Sequence, residues 1–151
     1  MSKQRRYQGV ILDLTYDDAN AALDWLTRVF GFEERARYVD KDGAVRQAEI
    51  HIGDTECWLD GRGPGWWDKV GHGPERYPLV WVDEVDAFHE RVRAAGVECD
   101  PPEDRDYDVR QIIVTDLEGY RWCFMARLGT GYVQRIPTEE GGLREVLAGD
   151  A

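Results

Sequence analysis

An internal repeat constrains the fold of this chain more than any other feature of its sequence. Each half contains an alternating strand, a helix that ends at a glycine (Gly31 and Gly96) and then a β-hairpin. The tripeptide Val45-Arg46-Gln47 of the first hairpin recurs as Val109-Arg110-Gln111 in the second, and a tryptophan follows thirteen residues after each valine. The matched helix ends and hairpins together predict two copies of one βαβββ module.

The elements of the repeat follow from periodicity and capping residues. Alternation predicts a strand over residues 10–16, and Asp17 or Asp18 caps a helical pattern from Ala19 to Phe30. The first hairpin has the two-residue turn Gly53-Asp54. The other predicted elements are strands over residues 32–39, 45–52, 55–60, 79–82, 109–114 and 120–125 and a helix over residues 83–95.

These elements divide the chain into four segments. We expect a first module over residues 8–62, a Gly/Pro/Trp loop over residues 63–76, a second module over residues 77–128 and a tail over residues 129–151. The tail also predicts a short helix over residues 139–147.

Two stretches resemble the vicinal-oxygen-chelate superfamily of glyoxalases, bleomycin-resistance proteins and extradiol dioxygenases. The helix from Asp17-Asp18-Ala19 to Val29-Phe30-Gly31-Phe32 is similar to the family's first helix and its "FG" end. Tyr107-Asp108-Val109-Arg110, followed by Asp116-Leu117-Glu118-Gly119-Tyr120-Arg121-Trp122-Cys123-Phe124, is similar to its closing "D-P-x-G-x-x-W-x-F" hairpin, with Leu117 where proline is usual. The resemblance covers about residues 8–126. It implies an α+β fold in which two tandem βαβββ modules form a curved mixed sheet around a cleft, with helices on the convex face.

Period-two alternation separates the side of each strand that packs against a helix from the side that the resemblance turns toward the cleft. In the first hairpin, one side of the strands carries apolar residues, and the other side carries polar residues around one tryptophan. The predicted helix side comprises Ala48, Ile50, Ile52, Cys57 and Leu59, with Val10, Leu12, Leu14, Val80, Val82, Tyr120, Trp122 and Phe124 on the other strands. The predicted cleft side comprises Glu49, His51, Glu56, Trp58 and Asp60, with Ile11, Asp13, Thr15, Tyr77, Leu79, Trp81, Arg121, Cys123 and Met125. The sequence therefore predicts an acidic and aromatic cleft.

The resemblance implies that the metal site of the family's catalytic members is absent. Those members use His and Glu ligands at four strand positions, which correspond here to Ile11, Trp58, Tyr77 and Cys123. One thiol does not make a metal site, so we predict no inherited metal and no cofactor.

Two catalytic alternatives stay open. His51 lies near Glu49 and Glu56 on the predicted hairpin, which allows a new metal site, and Asp13 or either glutamate could act as an acid or base without a metal. No nucleophile-and-base motif, phosphate loop or dinucleotide fingerprint is found in the sequence.

The chain has six tryptophans, and their positions guide the choice of ligand-binding residues. The resemblance assigns Trp25 and Trp122 to the core. Trp66 and Trp67 lie in a glycine-rich loop, where ligand contact, cover for the core edge and dimer contact remain alternatives. The predicted ligand-binding residues are Asp13, Glu49, His51, Glu56, Trp58, Trp66, Trp67, Tyr77, Trp81, Arg110 and Cys123.

Net charge and apolar runs limit the partners. The formal net charge of −11 argues against nucleic acid and favours cationic ligands. No apolar run approaches the roughly 20 residues of a membrane span, and the basic N-terminus leads directly into a strand, so we expect a cytoplasmic protein. Three cysteines without a CxxC pair argue against a disulfide framework. The resemblance implies a homodimer.

These observations favour non-enzymatic binding of a planar, aromatic or cationic small molecule, such as an antibiotic that is sequestered in the manner of bleomycin-resistance proteins. The alternative is a glyoxalase-like lyase or isomerase, or a dioxygenase, with a site rebuilt around His51. A regulatory or interaction module without a small ligand is the third interpretation.

Overall fold

The computed structural model describes residues 7–71 and 78–130, together with the backbone of two further strands at Val133–Pro137 and Leu143–Leu147. The chain divides into two compact units, Met1–Glu75 and Arg76–Ala151. Each unit contains a four-stranded mixed sheet. The predicted α+β fold class with tandem βαβββ modules is confirmed.

The first unit contains a sheet of order β1-β4-β3-β2, in which β1 runs parallel to β4 and the other pairs are antiparallel. Its predicted strand–helix–three-strand order is confirmed. Its elements are β1 (Leu12–Tyr16), α1 (Ala19–Trp25), a π-helical continuation of α1 (Leu26–Phe30), β2 (Glu33–Val39), β3 (Val45–Ile52), β4 (Thr55–Gly61) and α2 (Trp66–Val70).

The two aspartates before α1 have different tasks. Asp18 is the N-cap, and its carboxylate accepts a hydrogen bond of 3.0 Å from the Ala21 amide. Asp17 instead accepts from the amides of Gly65 and Trp67, at 3.3 and 3.1 Å, and thereby ties the loop of α2 to the end of β1. Gly31 ends the helix in the left-handed conformation, with φ 75°.

The core of the first unit lies between α1 and one face of the sheet. Leu23 and Leu26 of the helical segment and Ile50 and Leu59 of the strands are fully buried. Val10, predicted to pack with them, is 88% exposed. That prediction was wrong because β1 begins at Leu12, so the alternation of the sheet does not extend back to Val10.

The second unit repeats this arrangement with a sheet of order β5-β8-β7-β6, in which β5 runs parallel to β8. Trp122 and Phe124 are fully buried on the face that α3 contacts. The short strand β6 was missing from the predicted elements. The elements are β5 (Leu79–Trp81), α3 (Val85–Ala94), β6 (Glu103–Arg105), β7 (Val109–Thr115) and β8 (Arg121–Arg127).

Asp116 organises the turn between β7 and β8. Its buried carboxylate accepts hydrogen bonds of 3.0 Å from the amides of Glu118 and Tyr120 and from the indole N–H of Trp122. These three bonds hold the turn and the core tryptophan in place. They do so although Leu117 occupies the position where the family usually has proline.

The tail contradicts the predicted helix over residues 139–147. Leu143–Leu147 is a strand, β10, that pairs antiparallel with β9 (Val133–Pro137); residues 139–142 lie outside the described part of the chain. A nine-residue helix is marginal on its own, and pairing with β9 supplies backbone hydrogen bonds that favour the extended form. No helix in the described residues is long and apolar enough to cross a membrane.

Candidate functional site

The side of the first sheet that faces away from α1 carries a group of polar side chains around one indole. Cross-strand register places Asp13 beside Trp58, Trp58 beside Glu49, and His51 beside Glu56. Their opposite neighbours Ala48, Ile50, Cys57 and Leu59 are fully buried, so the predicted division of the hairpin into two sides is confirmed. We call this surface the carboxylate face; it comprises Asp13, Glu49, His51, Glu56, Trp58 and Asp60.

Trp58 lies in the middle of the carboxylate face. Its side chain is 37% exposed, and its indole N–H donates a hydrogen bond of 3.0 Å to Glu56. That bond holds the ring in place while much of the ring surface remains accessible. An exposed indole among carboxylates suits a planar ligand with positive charge, because the ring face and the carboxylates both attract cations.

Asp13 and Asp60 form an acidic pair on this face. Desolvation raises the pKa of Asp13, and the hydrogen bond and negative charge of Asp60 raise it further, while the nearby Arg62 opposes the shift. Two carboxylates that repel each other gain from a positive charge placed beside them. The pair therefore adds to the attraction of this face for a cation.

His51 completes a group with two glutamates. Its Nε2 lies 3.4 Å from Oε1 of Glu49, and donor atoms of Glu49, His51 and Glu56 all lie within 4.8 Å of one another. All three residues are partly buried. The structure thus brings together the cluster that the hairpin predicted.

The corresponding face of the second sheet has a different character. Leu79 and Trp81 are 64% and 54% exposed, and the guanidinium of Arg127 lies 4.4 Å from the centre of the Trp81 ring. Register places Cys123 and Met125 on the same face, where they belong to a buried apolar cluster. Register adds Arg105, Arg121 and Glu103 to this face, and Glu103 pairs with Arg105 at 3.0 Å. The second sheet therefore presents mainly apolar and basic groups, and the cluster of carboxylates predicted for the cleft lies on the first sheet.

The thiols are poorly suited to nucleophilic chemistry. Burial raises the pKa of the Cys123 thiol, and burial together with the charge of Asp13 raises the pKa of Cys57 to about 12. Both remain protonated at neutral pH, and a protonated thiol is a weak nucleophile and a poor metal ligand.

Three predicted ligand-binding residues, Arg110, Trp66 and Trp67, do not lie on the sheet faces that were predicted to line the cleft. Arg110 lies on the helix side of β7, where its guanidinium pairs with Asp86 at 2.9 Å and Asp104 at 2.7 Å. Trp66 and Trp67 are half-buried in α2, and the guanidinium of Arg62 lies 5.3 Å from the Trp66 ring. Tyr77 lies outside the described residues.

The structure also shows a pocket that sequence reasoning missed. It lies in the second unit, has a volume of about 320 Å³, and is lined by the segment from Glu98 to Pro101 and by Gln111, Ile113 and Arg121. Recognising it required β6, whose three-residue length gave too weak a pattern to predict.

Comparison with known proteins identifies the family. The model of the "Glyoxalase/Bleomycin resistance protein/Dioxygenase superfamily" matches residues 10–124. The chain belongs to this superfamily. No functionally curated protein matches the sequence.

Solved structures of the same fold include proteins described by antibiotic binding or resistance. TioX from Micromonospora sp. ML1 is 32% identical, with a TM-score of 0.66, over 81% of this chain and 100% of its own. TnmS3, described as an antibiotic binding protein from Streptomyces sp. CB03234, is 22% identical, with a TM-score of 0.66, over 82% of this chain and 99% of its own. FosX, described as a fosfomycin resistance protein from Listeria monocytogenes, is 19% identical, with a TM-score of 0.58, over 81% of this chain and 94% of its own.

Proposed function

We propose that this protein binds a planar, cationic or aromatic small molecule, such as an antibiotic, and holds it without converting it. The observation that carries the proposal is the exposed indole of Trp58, which lies among Asp13, Glu49 and Glu56 on the carboxylate face. The indole supplies a stacking surface and the carboxylates supply complementary charge.

The family context supports this function. TnmS3 is described as an antibiotic binding protein. A protein that sequesters a ligand needs only to bind it tightly and to release it slowly. An aromatic surface with surrounding charges suits such binding.

The residues at the family's metal positions support binding over catalysis. Ile11 and Trp58 offer no metal donor, and the pKa of the Cys123 thiol is raised by its burial. These side chains do not reproduce the His and Glu donors that the resemblance implies for the catalytic members.

The proposal is tested by calorimetric titration of the chelator-treated protein with matched planar ligands, one cationic and one neutral but of the same shape. We expect saturable binding of the cation and weaker binding of the neutral analogue. Trp58→Ala should lower affinity by roughly 2- to 30-fold, since loss of an aromatic–cation contact costs about 0.5 to 2 kcal/mol depending on how far the contact is desolvated.

Trp81→Ala is the second indole variant of that titration, because Trp81 is also exposed and belongs to the residues predicted to bind ligand. We expect a smaller loss of affinity than in Trp58→Ala, since Trp81 lies beside the guanidinium of Arg127. Equal affinity for wild type and Trp58→Ala, with both proteins folded by circular dichroism, would remove Trp58 from the site. Preference for the neutral ligand would remove the role of the carboxylates.

We further propose that the protein acts in the cytoplasm, and that it forms a homodimer as the family resemblance implies. Light scattering coupled to size-exclusion chromatography tests the assembly: a mass near twice the 17.4 kDa of the chain supports the dimer, and a mass near 17.4 kDa refutes it.

One observation favours the alternative, an enzyme of the glyoxalase or dioxygenase kind with a rebuilt site. It is the convergence of Glu49, His51 and Glu56 on the carboxylate face. This alternative requires the ligand to be consumed in the presence of a metal ion and requires that consumption to stop in His51→Ala.

A further inference from the structure

We propose that Glu49, His51 and Glu56 form a binding site for a divalent transition-metal ion of the zinc class, at a position separate from the family's inherited metal site. The proposal does not rest on binding of an organic ligand. All three residues belong to the β3–β4 hairpin. None of them is an inherited position; of Ile11, Trp58, Tyr77 and Cys123, only Trp58 lies on this hairpin.

The hairpin geometry directs the three side chains to one point. His51 and Glu56 are direct cross-strand partners, so their side chains leave the sheet on the same face. Glu49 lies two residues before His51 on the same strand and therefore points to that face as well. The two-residue turn Gly53-Asp54 fixes the register of the hairpin and with it this arrangement.

The distances between donor atoms are compatible with coordination of one ion. Nε2 of His51 and Oε1 of Glu49 are 3.4 Å apart, which is longer than a good N–H···O bond. Two ligands of one tetrahedral zinc ion, each bonded at about 2.1 Å, are separated by about 3.4 Å. The separations within the trio, none above 4.8 Å, bring all donors to one ion with small rotations of the side chains.

Trp58 supplies the outer contact that oriented metal ligands commonly have. Its indole N–H donates to Oε2 of Glu56 at 3.0 Å, which orients that carboxylate and leaves Oε1 for an ion. The exposure of the His51 and Glu49 side chains, 25% and 30%, keeps the site reachable and leaves further coordination positions to water.

The donor set selects the class of ion. One imidazole and two carboxylates suit zinc and its neighbours cobalt and nickel, whereas calcium and magnesium prefer oxygen donors alone. Two carboxylates and a neutral imidazole also neutralise a doubly charged ion.

The test is calorimetric titration of the full chain, freed of metal by chelation, with zinc and separately with magnesium. We expect one zinc ion per chain and no measurable binding of magnesium. Visible absorption of the cobalt form should report an imidazole–carboxylate environment. His51→Ala and Glu56→Gln should each lower zinc affinity at least about 100-fold, because even loss of an outer contact costs 10- to 100-fold.

Glu90→Gln, which changes an exposed carboxylate on α3, is the control and should bind zinc as wild type does. Zinc binding that persists in His51→Ala, or that is absent or weaker than millimolar in wild type, overturns the proposal. The titration contains no organic ligand, and ligand binding is measured with chelator present, so failure of one proposal leaves the result for the other unaffected.

Discussion

Asp13 illustrates how a single residue of the carboxylate face can serve binding at the expense of stability. Its carboxyl group is held near Asp60, and its pKa is raised by desolvation and by that neighbour. A raised pKa means that folding favours the protonated form. The negative charge of Asp13, which attracts a cation at neutral pH, therefore lowers the stability of the fold. Groups of this kind are common at functional sites.

This reasoning predicts opposite effects of Asp13→Asn on stability and on binding. The stabilising contribution of protonated Asp13 is fully present below its unfolded pKa and is lost as the pH rises through the higher folded pKa. The asparagine variant cannot ionise, so it should be at least as stable as wild type at pH 7 and should lose this advantage on acidification. It should also bind a cationic ligand more weakly.

Urea denaturation at neutral pH and near the ordinary aspartate pKa of 3.8, beside ligand titration at pH 7, measures both effects. Because Asp13 is exposed, we expect the stability change to be small. A variant that is less stable than wild type at neutral pH and equally stable in acid would show that the ionised form of Asp13 stabilises the fold.

At the scale of the elements, Arg110 links α3 to the edge of the second sheet. Its guanidinium pairs with Asp86 on α3 and with Asp104 on β6, and it lies on the helix side of β7. The sequence suggested that this arginine binds ligand. Its position indicates instead that it supports the packing of α3.

We therefore predict that Arg110→Ala leaves ligand affinity within about twofold of wild type. Its effect on the free energy of unfolding should be small, because both ion pairs are substantially exposed and screened by solvent. Arg110→Lys is the control that keeps the charge but loses the planar fork that reaches both carboxylates. A large loss of affinity at unchanged stability would return Arg110 to the binding site.

A strand or helix is easiest to predict from the sequence when the core requires one particular pattern of apolar side chains along it. The hairpin β3–β4 was predicted closely because Ile50, Cys57 and Leu59 must be buried, which determines both register and sides. Strand β6 and the β9–β10 hairpin were not predicted. Strand β6 has only three residues, which gives too short a pattern. Residues 143–147 pair with β9 as a strand, although their sequence is equally compatible with a helix.

The candidate site was predictable to a similar degree. Alternation was enough to group Glu49, His51, Glu56 and Trp58, because they belong to one regular hairpin. Arg110 was misassigned because its ion-pair partners Asp86 and Asp104 come from two other elements, and cross-element pairing is not visible in a strand's own period.

At the scale of the whole molecule, the two units differ in the chemistry of corresponding sheet faces. The first sheet presents the carboxylate face. The second presents Trp81 in contact with Arg127, together with an apolar cluster that includes Cys123. A duplicated module has thus acquired two distinct surfaces while retaining the same order of strands. We expect the cationic part of a ligand to prefer the first of these surfaces.

A binding protein of the proposed kind holds its ligand without converting it. The most direct test incubates a ligand found by titration with an equal amount of protein and with zinc, denatures the protein, and measures the recovered ligand by mass spectrometry. We predict full recovery at unchanged mass, with Trp58→Ala retaining less ligand before denaturation. A product of different mass that forms with wild type and not with His51→Ala would contradict the claim and identify the protein as an enzyme.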